Sequence, residues 1–164
     1  MTPTATEDPP LLDYHPEPAS FLDDVREGLQ APQKSLPSKY FYDARGSHLF
    51  DEITRLPEYY PTRTEVGILR SRIGEIAQRI GPRCLLVEYG SGSSAKTHIL
   101  LDALPDLAGY VPIDIARDHL LDAARRLAET YPGLRILPVC ADYTTAFTLP
   151  HVDGARPVVF FPGS

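Results

Sequence analysis

Residues 85–96 constrain the fold of this chain more than any other stretch. Leu85-Leu86-Val87 is a short apolar run typical of a buried strand, and Gly90-Ser91-Gly92 forms a glycine turn soon after it. The residues from about 94 to 104 are amphipathic with helical spacing. A strand, a glycine turn and a helix N-terminus in this order form the nucleotide-binding corner of a Rossmann-like fold.

The acidic residue Glu88, two positions before the first glycine, indicates which ligand this corner takes. Gly90, Gly92 and Ala95 also satisfy the dinucleotide pattern, but a carboxylate close to a diphosphate would repel it. The same carboxylate suits a cationic ligand, such as the amino group and sulfonium of S-adenosylmethionine. We therefore favour an S-adenosylmethionine site over the nicotinamide site of an oxidoreductase. A solvated acid at the strand end is the alternative for Glu88.

Strands and helices alternate from Cys84 onward, and this rhythm predicts a parallel sheet with helices on both faces. The predicted strands span 84–89, 109–113, 135–140 and 157–161, and the predicted helices between the first three span about 94–104 and 116–130. The fold class is therefore α/β and Rossmann-like, with four parallel strands. Because the last strand is followed by only a few residues, we expect an incomplete sheet, the first half of a larger domain.

Two further segments precede the sheet. Residues 1–38 are proline-rich, which predicts a mobile tail broken by one short helix near 21–29. Residues 39–80 form a helical block, in which Ser47 is predicted to cap a helix stopped by Pro57. A capping box of Thr62 and Glu65 is predicted to begin the next helix. The chain thus divides into 1–38, 39–80 and 81–164.

Composition narrows the function classes. The chain has 164 residues, a length that favours one domain, and its net charge of −6 without a basic cluster argues against nucleic acid as a partner. No apolar run is long enough to span a membrane. The two cysteines, Cys84 and Cys140, lie in or beside apolar runs, which favours buried free thiols over a disulfide or a metal site. We therefore expect a cytoplasmic protein without a metal.

Ligands of open α/β sheets bind beyond the carboxyl ends of the strands, where this chain has further polar groups. Asp114 lies 24 residues after Gly90, near the distance at which an acid usually meets ribose hydroxyls. Asp142 can accept the adenine amino group, and Tyr143 can cover the ring. Gly163 follows the last strand, where the reacting groups should meet. The alternatives are a helix cap for Asp114 and a turn for Asp142.

Lys96 is unusual because it lies in the first turn of the helix after the glycine turn. The helix dipole disfavours a cation there. Either Lys96 is an ordinary surface residue or its ammonium meets a carboxylate, for which the methionine carboxylate of the cofactor is the obvious candidate.

The tyrosine-rich N-terminal block carries the most specific pattern in the chain. It contains Ser38-Lys39-Tyr40-Phe41-Tyr42-Asp43, Gly46-Ser47, Leu49-Phe50-Asp51 and the run from Ile53 to Glu65. This block resembles the N-terminal signature of the histidine Nα-methyltransferases, and residues 88–97, 112–114, 131–133 and 158–164 are similar to later blocks of that family. The resemblance covers roughly residues 20–164. It implies S-adenosylmethionine-dependent trimethylation of L-histidine to hercynine, the first step of ergothioneine biosynthesis.

The resemblance also implies roles for individual positions. Gly90, Lys96, Asp114, Asp142 and Tyr143 match cofactor contacts of the family. Tyr42 and Tyr59 match tyrosines that line the histidine pocket, and Gly163 matches a glycine near the transferred methyl group. Tyr42 is the candidate for positioning the amine during catalysis. Ordinary packing under a turn is the alternative for Tyr59.

The family's pattern continues beyond Gly163-Ser164 into Thr-Ile-Gly-Asn and a further domain, which supply other substrate contacts. Catalysis would then need a C-terminal half or a partner chain. A remnant that at most binds S-adenosylmethionine, or that acts as an assembly partner, is the rival interpretation. We expect the 164-residue chain by itself to be poorly soluble or to self-associate, and to form no detectable methylated histidine.

Overall fold

The computed structural model of the chain describes residues 9–14, 19–92, 95–104 and 106–163. The strands are β1 (Leu12–Asp13), β2 (Cys84–Tyr89), β3 (Leu107–Asp114), β4 (Val139–Cys140) and β5 (Arg156–Phe160). The helices are α1 (Ala19–Gln30), α2 (Ala44–Ile53), α3 (Tyr60–Ile80), α4 (Ala95–Ala103) and α5 (Arg117–Thr130), with a 3-10 turn at Ser38–Phe41. The strands form one sheet in the order β1-β4-β3-β2-β5, in which every neighbouring pair is parallel. The predicted parallel α/β architecture is confirmed.

The third predicted strand is shorter than expected. Instead of spanning 135–140, β4 covers only Val139–Cys140, preceded by an isolated parallel bridge between Tyr110 and Ile136. Pro112 of β3 lies between Tyr110 and Asp114, which both hydrogen-bond to this segment, and it has no backbone N–H to donate there. Pro138 faces the other way, since its carbonyl accepts a hydrogen bond from the Leu12 N–H at 2.9 Å.

A fifth strand comes from the segment that the sequence assigns to the mobile tail. Leu12 and Asp13 pair in parallel with Val139 and Cys140, so this part of the tail belongs to the sheet. The pairing adds an edge strand beside β4. The rest of the tail at residues 1–8 and 15–18 lies outside the described residues, as does Ser164. The three-part division of the chain otherwise stays a prediction.

The helices of the βαβ units pack on one face of the sheet. Apolar residues of α4 and α5 form a buried cluster with β2 and β3, and Ile73, Ile76, Ala77 and Ile80 of α3 pack against it. On the other face, the partly buried residues come from the end of β2 and from residues 147–155. In the described part of the chain, helices therefore do not cover both faces, and that prediction is wrong. Both crossovers step in the same direction along the sheet, and right-handed crossovers then place their helices on the same side.

Both predicted helix caps in the N-terminal block are wrong. The cap of α2 is Asp43, whose carboxylate accepts a hydrogen bond from the Gly46 N–H at 2.7 Å, and Ser47 lies inside the helix. α2 also ends at Ile53, before Pro57. Helix α3 begins at Tyr60 without a side-chain cap, so Thr62 lies in its first turn.

The helices of the βαβ units and the two cysteines agree with expectation. α4 and α5 match their predicted ranges within a residue or two, although Ser94, the predicted start of α4, lies outside the described residues. Cys84 and Cys140 are buried free thiols. Among the described residues, no helix is long and apolar enough to cross a membrane.

Candidate active site

A cavity of about 610 Å³ opens at the carboxyl ends of β2, β3, β4 and β5. Residues of the N-terminal helical block, from Ser38 to Thr62, form its other wall. The volume lies in the range of sites for cofactor-sized ligands. All ten predicted site residues line this cavity: Tyr42, Tyr59, Glu88, Gly90, Gly92, Lys96, Asp114, Asp142, Tyr143 and Gly163. Their individual roles stay predictions.

The glycine turn leaves room for a ligand beside its backbone. Gly90 and Gly92 have φ values of +67° and +42°, which side-chain-bearing residues rarely adopt. A Cβ at Gly90 would have no atom within 4 Å, so this backbone faces open space. Between them, the buried Ser91 hydroxyl has no hydrogen-bond partner among the described residues. An unsatisfied buried hydroxyl in a cavity wall fits a polar ligand group.

Glu88 lies at the floor of the cavity, and its carboxyl group is less ionised than its sequence position suggests. It is 1% exposed, and its Oε2 accepts hydrogen bonds from the Thr97 hydroxyl at 2.6 Å and the Tyr110 hydroxyl at 2.5 Å. Burial raises the pKa of Glu88 to about 7, although both hydroxyls and the charge of Lys96 oppose the shift. Near neutral pH the carboxyl is thus only partly ionised. Its attraction for a cation is weaker than that of the full charge assumed from the sequence.

Asp114 lies at the cavity wall, and its carboxylate also bonds to the residue before α5. Its Oδ1 accepts a hydrogen bond from the Ala116 N–H at 2.9 Å, immediately before α5. Its Oδ2 lies 3.4 Å from the Gly92 N–H, so the same carboxylate links the end of β3 to the glycine turn. Asp114 therefore holds the turn that leads into α5, which has no side-chain cap, while it lines the cavity; its proposed contact with ribose stays a prediction.

Asp142 likewise belongs to a turn and to the cavity wall. Its Oδ1 accepts hydrogen bonds from the Thr144 N–H at 2.9 Å and the Thr144 hydroxyl at 2.5 Å. Lys39, from the helical block, places its ammonium 3.8 Å from Oδ2. Burial opposes ionisation of Asp142, but the hydrogen bonds and Lys39 outweigh it and hold the pKa below its ordinary value. The carboxylate is ionised at neutral pH.

Aromatic rings form the remaining walls. Tyr143 contacts Tyr89 and Phe161 with ring centroids 5.6 and 5.7 Å apart. In the helical block, Phe50 contacts the rings of Tyr42 at 6.4 Å and Tyr59 at 6.0 Å. Edge-to-face contacts of this kind hold ring orientations without filling the cavity. Tyr59 thus packs against Phe50 of α2 and also lines the cavity.

Lys96 meets a carboxylate of the protein itself. Its Nζ lies 2.8 Å from Glu65 Oε2, a residue of α3. The other oxygen of Glu65 accepts a hydrogen bond from the Gly163 N–H at 2.7 Å. From the sequence, the methionine carboxylate of the cofactor was the obvious partner for Lys96, and Glu65 was not predicted as one.

The sequence assigns no role in the site to several further residues. Glu65, Lys39, Phe50 and Phe161 belong to this group, as do His119 and Asp51, which line the cavity with His119 Nε2 3.9 Å from Asp51 Oδ2. Only the tyrosine-rich block as a whole pointed to the cavity wall that the helical block forms.

In the described part of the chain, no group of three or more His, Cys, Asp or Glu is arranged to hold a metal ion.

The comparison with known families decides the assignment. The sequence model of the family described as "Histidine-specific methyltransferase, SAM-dependent" matches residues 21–164. The chain belongs to this family. The expected resemblance to the histidine Nα-methyltransferases is confirmed.

Individual relatives agree with this family assignment. The chain is 52% identical over 141 residues to the histidine N-alpha-methyltransferase of Mycolicibacterium smegmatis and 48% identical over 140 residues to that of Mycobacterium tuberculosis. Each match covers 84% of this chain and 43% of the relative. The chain therefore spans less than half the length of these two relatives.

A solved structure agrees with the fold. The crystal structure of a putative S-adenosyl-L-methionine-dependent methyltransferase from Methanococcus maripaludis is similar with a TM-score of 0.50 and 20% identity. The match covers 82% of this chain and 55% of that chain. It supports the methyltransferase-type fold of the family.

Proposed function

We propose that this chain supplies the cofactor site and part of the substrate pocket of an S-adenosylmethionine-dependent methyltransferase. Its substrate is the α-amino group of L-histidine, and its product is hercynine, which places it at the first step of ergothioneine biosynthesis. One observation supports this most. The ten residues predicted for cofactor and substrate come from six separate segments, and all of them line one cavity.

The residues at the strand ends fit the proposed cofactor. The open backbone at Gly90 and the buried Ser91 hydroxyl suit a polar ligand that approaches the main chain closely. Asp114 is the candidate for ribose hydroxyls, and Asp142 with Tyr143 is the candidate for the adenine ring. The positive Lys96 lines the cavity and suits a ligand carboxylate, which it binds together with Glu65.

When bound, the sulfonium of S-adenosylmethionine supplies an electrophilic methyl group. The protein must then hold an amine lone pair in line with that group and keep the amine unprotonated. Tyr42 is 45% exposed, and its ring is oriented by Phe50, so its hydroxyl is available to position an amine. Tyr59 lines the same wall, and Gly163 leaves space near the strand ends for the two reacting groups.

Calorimetric titration tests the cofactor part of this proposal. We expect the 164-residue chain to bind S-adenosylmethionine and S-adenosylhomocysteine, and not to bind NAD⁺ with comparable affinity. Tighter binding of NAD⁺ would contradict the proposal and favour an oxidoreductase. Absence of binding to all three would contradict the cofactor site itself.

Product analysis tests the substrate. Since the chain spans 43% of the length of the two histidine N-alpha-methyltransferases compared above, the assay compares it with a version extended by the homologous C-terminal part of one of them. We expect the extended protein to add three methyl groups to L-histidine, as measured by mass spectrometry, and to leave other amino acids largely unchanged. Methylation of another amino acid in preference to histidine would contradict this assignment. Tyr42→Phe and Tyr59→Phe should each reduce the rate.

A further inference from the structure

A single carboxylate joins three elements of the site. Glu65 belongs to α3 of the helical block, Lys96 to the first turn of α4, and Gly163 to the segment after β5. Glu65 Oε2 lies 2.8 Å from Lys96 Nζ, and Glu65 Oε1 lies 2.7 Å from the Gly163 nitrogen. Lys96 and Gly163 line the cavity, whereas Glu65 lies behind its wall.

The ion pair between Glu65 and Lys96 offsets two effects that disfavour the charge of Lys96. The side chain of Lys96 is 11% exposed, and the N-terminus of α4 repels its positive charge. A buried ammonium is costly unless an opposite charge and hydrogen bonds compensate for it. Glu65 provides both and thereby holds a flexible four-carbon side chain in one position beside the cavity.

The bond to Gly163 restrains the backbone at the strand ends. A hydrogen bond from an N–H group to a carboxylate is stronger than one between neutral groups. It connects α3 to a segment 98 residues later in the chain, which the β5 ladder alone does not hold because β5 ends at Phe160. The peptide of Gly163 is therefore fixed by the same side chain that fixes Lys96.

We propose that Glu65 is a positioning residue, which acts on ligands through Lys96 and Gly163 rather than by touching them. It holds the ammonium ready for an anionic ligand group and sets the position of the Gly163 peptide relative to it. The identity of the ligand, the methionine carboxylate of the cofactor, rests on the proposed function. The link between the three residues does not.

Amide hydrogen exchange tests the link without any ligand. Glu65→Gln keeps an oxygen that can accept from the Gly163 N–H, whereas Glu65→Ala removes it. We expect exchange at Gly163 to be at least several-fold faster in Glu65→Ala than in the wild type, and near the wild-type rate in Glu65→Gln. The control is Glu75→Gln, an exposed glutamate on α3 that pairs with Arg72 and Arg79. Equal Gly163 exchange in Glu65→Ala and Glu75→Gln would overturn the proposal.

A double-mutant cycle tests the action through Lys96. We expect Glu65→Gln to weaken S-adenosylmethionine binding about three- to tenfold, because a mobile lysine must be ordered again on binding. In a Lys96→Met background the same substitution should change affinity less than twofold. Equal effects in both backgrounds would overturn the proposal. So would tighter binding in Glu65→Gln, since Glu65 would then compete with the ligand for the ammonium. If the wild-type chain binds no cofactor, the proposed function fails, and exchange at Gly163 alone decides the role of Glu65.

Discussion

The hydroxyl of Tyr110 donates a hydrogen bond to the carboxylate of Glu88 at 2.5 Å, beneath the cavity and out of contact with solvent. Burial, with the nearby Glu88 as the next cause, raises the pKa of Tyr110 well above its ordinary range, so this hydroxyl remains a donor. Thr97 donates to the same oxygen at 2.6 Å. These two hydrogen bonds join β2, β3 and α4 beneath the glycine turn. The tertiary structure therefore sets the pKa of Glu88.

The stability of the chain should therefore depend on pH through Glu88. Its pKa is raised from the ordinary 4.5 to about 7, so between these values the folded chain binds more protons than the unfolded chain. The contribution of Glu88 to the free energy of unfolding is fully present below pH 4.5 and is lost as the pH rises through 7. The loss between these two pH values is roughly 3 kcal/mol. Urea denaturation at several pH values checks this. Glu88→Gln should remove this decrease of the unfolding free energy between pH 4.5 and 7, while Glu75→Gln should keep it. An unchanged pH dependence in Glu88→Gln would contradict the prediction.

Replacing Gly90 should abolish cofactor binding rather than folding. Gly90→Val places a branched side chain at a φ of +67°, at a strain of about 1–3 kcal/mol, and fills the cavity wall. Gly81→Val is the matched control, because Gly81 has a φ of +71° and equally open space at its Cβ but lies outside the cavity. Calorimetry should show lost S-adenosylmethionine affinity in Gly90→Val alone, with the helices intact by circular dichroism. Equal losses in both variants would point to a general effect of strain.

Asp114 should contribute separately to stability and to binding. Asp114→Ala removes the acceptor of the Ala116 N–H and should cost about 1 kcal/mol of unfolding free energy. It should also weaken cofactor binding by roughly 1.5–3 kcal/mol if the carboxylate binds ribose hydroxyls. Asp114→Asn should recover most of the stability but not the affinity.

Asp43→Ala provides the control for Asp114, since Asp43 caps α2 and does not line the cavity. It should lower the melting temperature without changing cofactor affinity. A variant of Asp114 that loses stability and retains full affinity would leave Asp114 only its role in the turn before α5.

The edge of the sheet at β5 should promote self-association. β5 is one of the two edge strands of the described sheet, and Val159 is 57% exposed there. Unpaired edge strands with apolar side chains pair with other chains, and a charged residue on the edge prevents it. Val159→Lys should therefore shift the chain toward monomer in sedimentation velocity experiments. Ile68→Lys is the control, because Ile68 is 56% exposed on α3. A larger effect at Ile68 would place the association surface on the helix instead.

Much of the site was predictable because its signals are local. The apolar run before Gly90 is itself a strand, and the glycine turn and the acids at 114 and 142 each follow a predicted strand in the sequence. Parallel strands place all their carboxyl ends at one edge of the sheet, so the sequence order was enough to bring these residues together. The wall formed by Tyr42 and Tyr59 followed from the family resemblance instead, since two tyrosines near a turn specify no pocket by themselves.

The helix caps were not predictable in the same way. Asp43 and Ser47 are both good caps, and Thr62 with Glu65 fits the capping-box pattern. Local preference does not rank such candidates when tertiary packing decides where a helix begins. Packing placed the start of α3 at Tyr60 and left the carboxylate of Glu65 to reach Lys96 and Gly163.

The sequence by itself determined the alternation of strands and helices, the position of the glycine turn and the residues at the strand ends. Tertiary structure alone decided that residues 12–13 join the sheet beside β4, that Glu88 is buried under Tyr110, and that Glu65 binds two residues 31 and 98 positions away. The physical reason is the range of the interactions. Hydrophobic periodicity and turn preferences act over a few residues, whereas burial, ion pairing and pKa depend on which distant groups the folded chain brings within hydrogen-bonding distance.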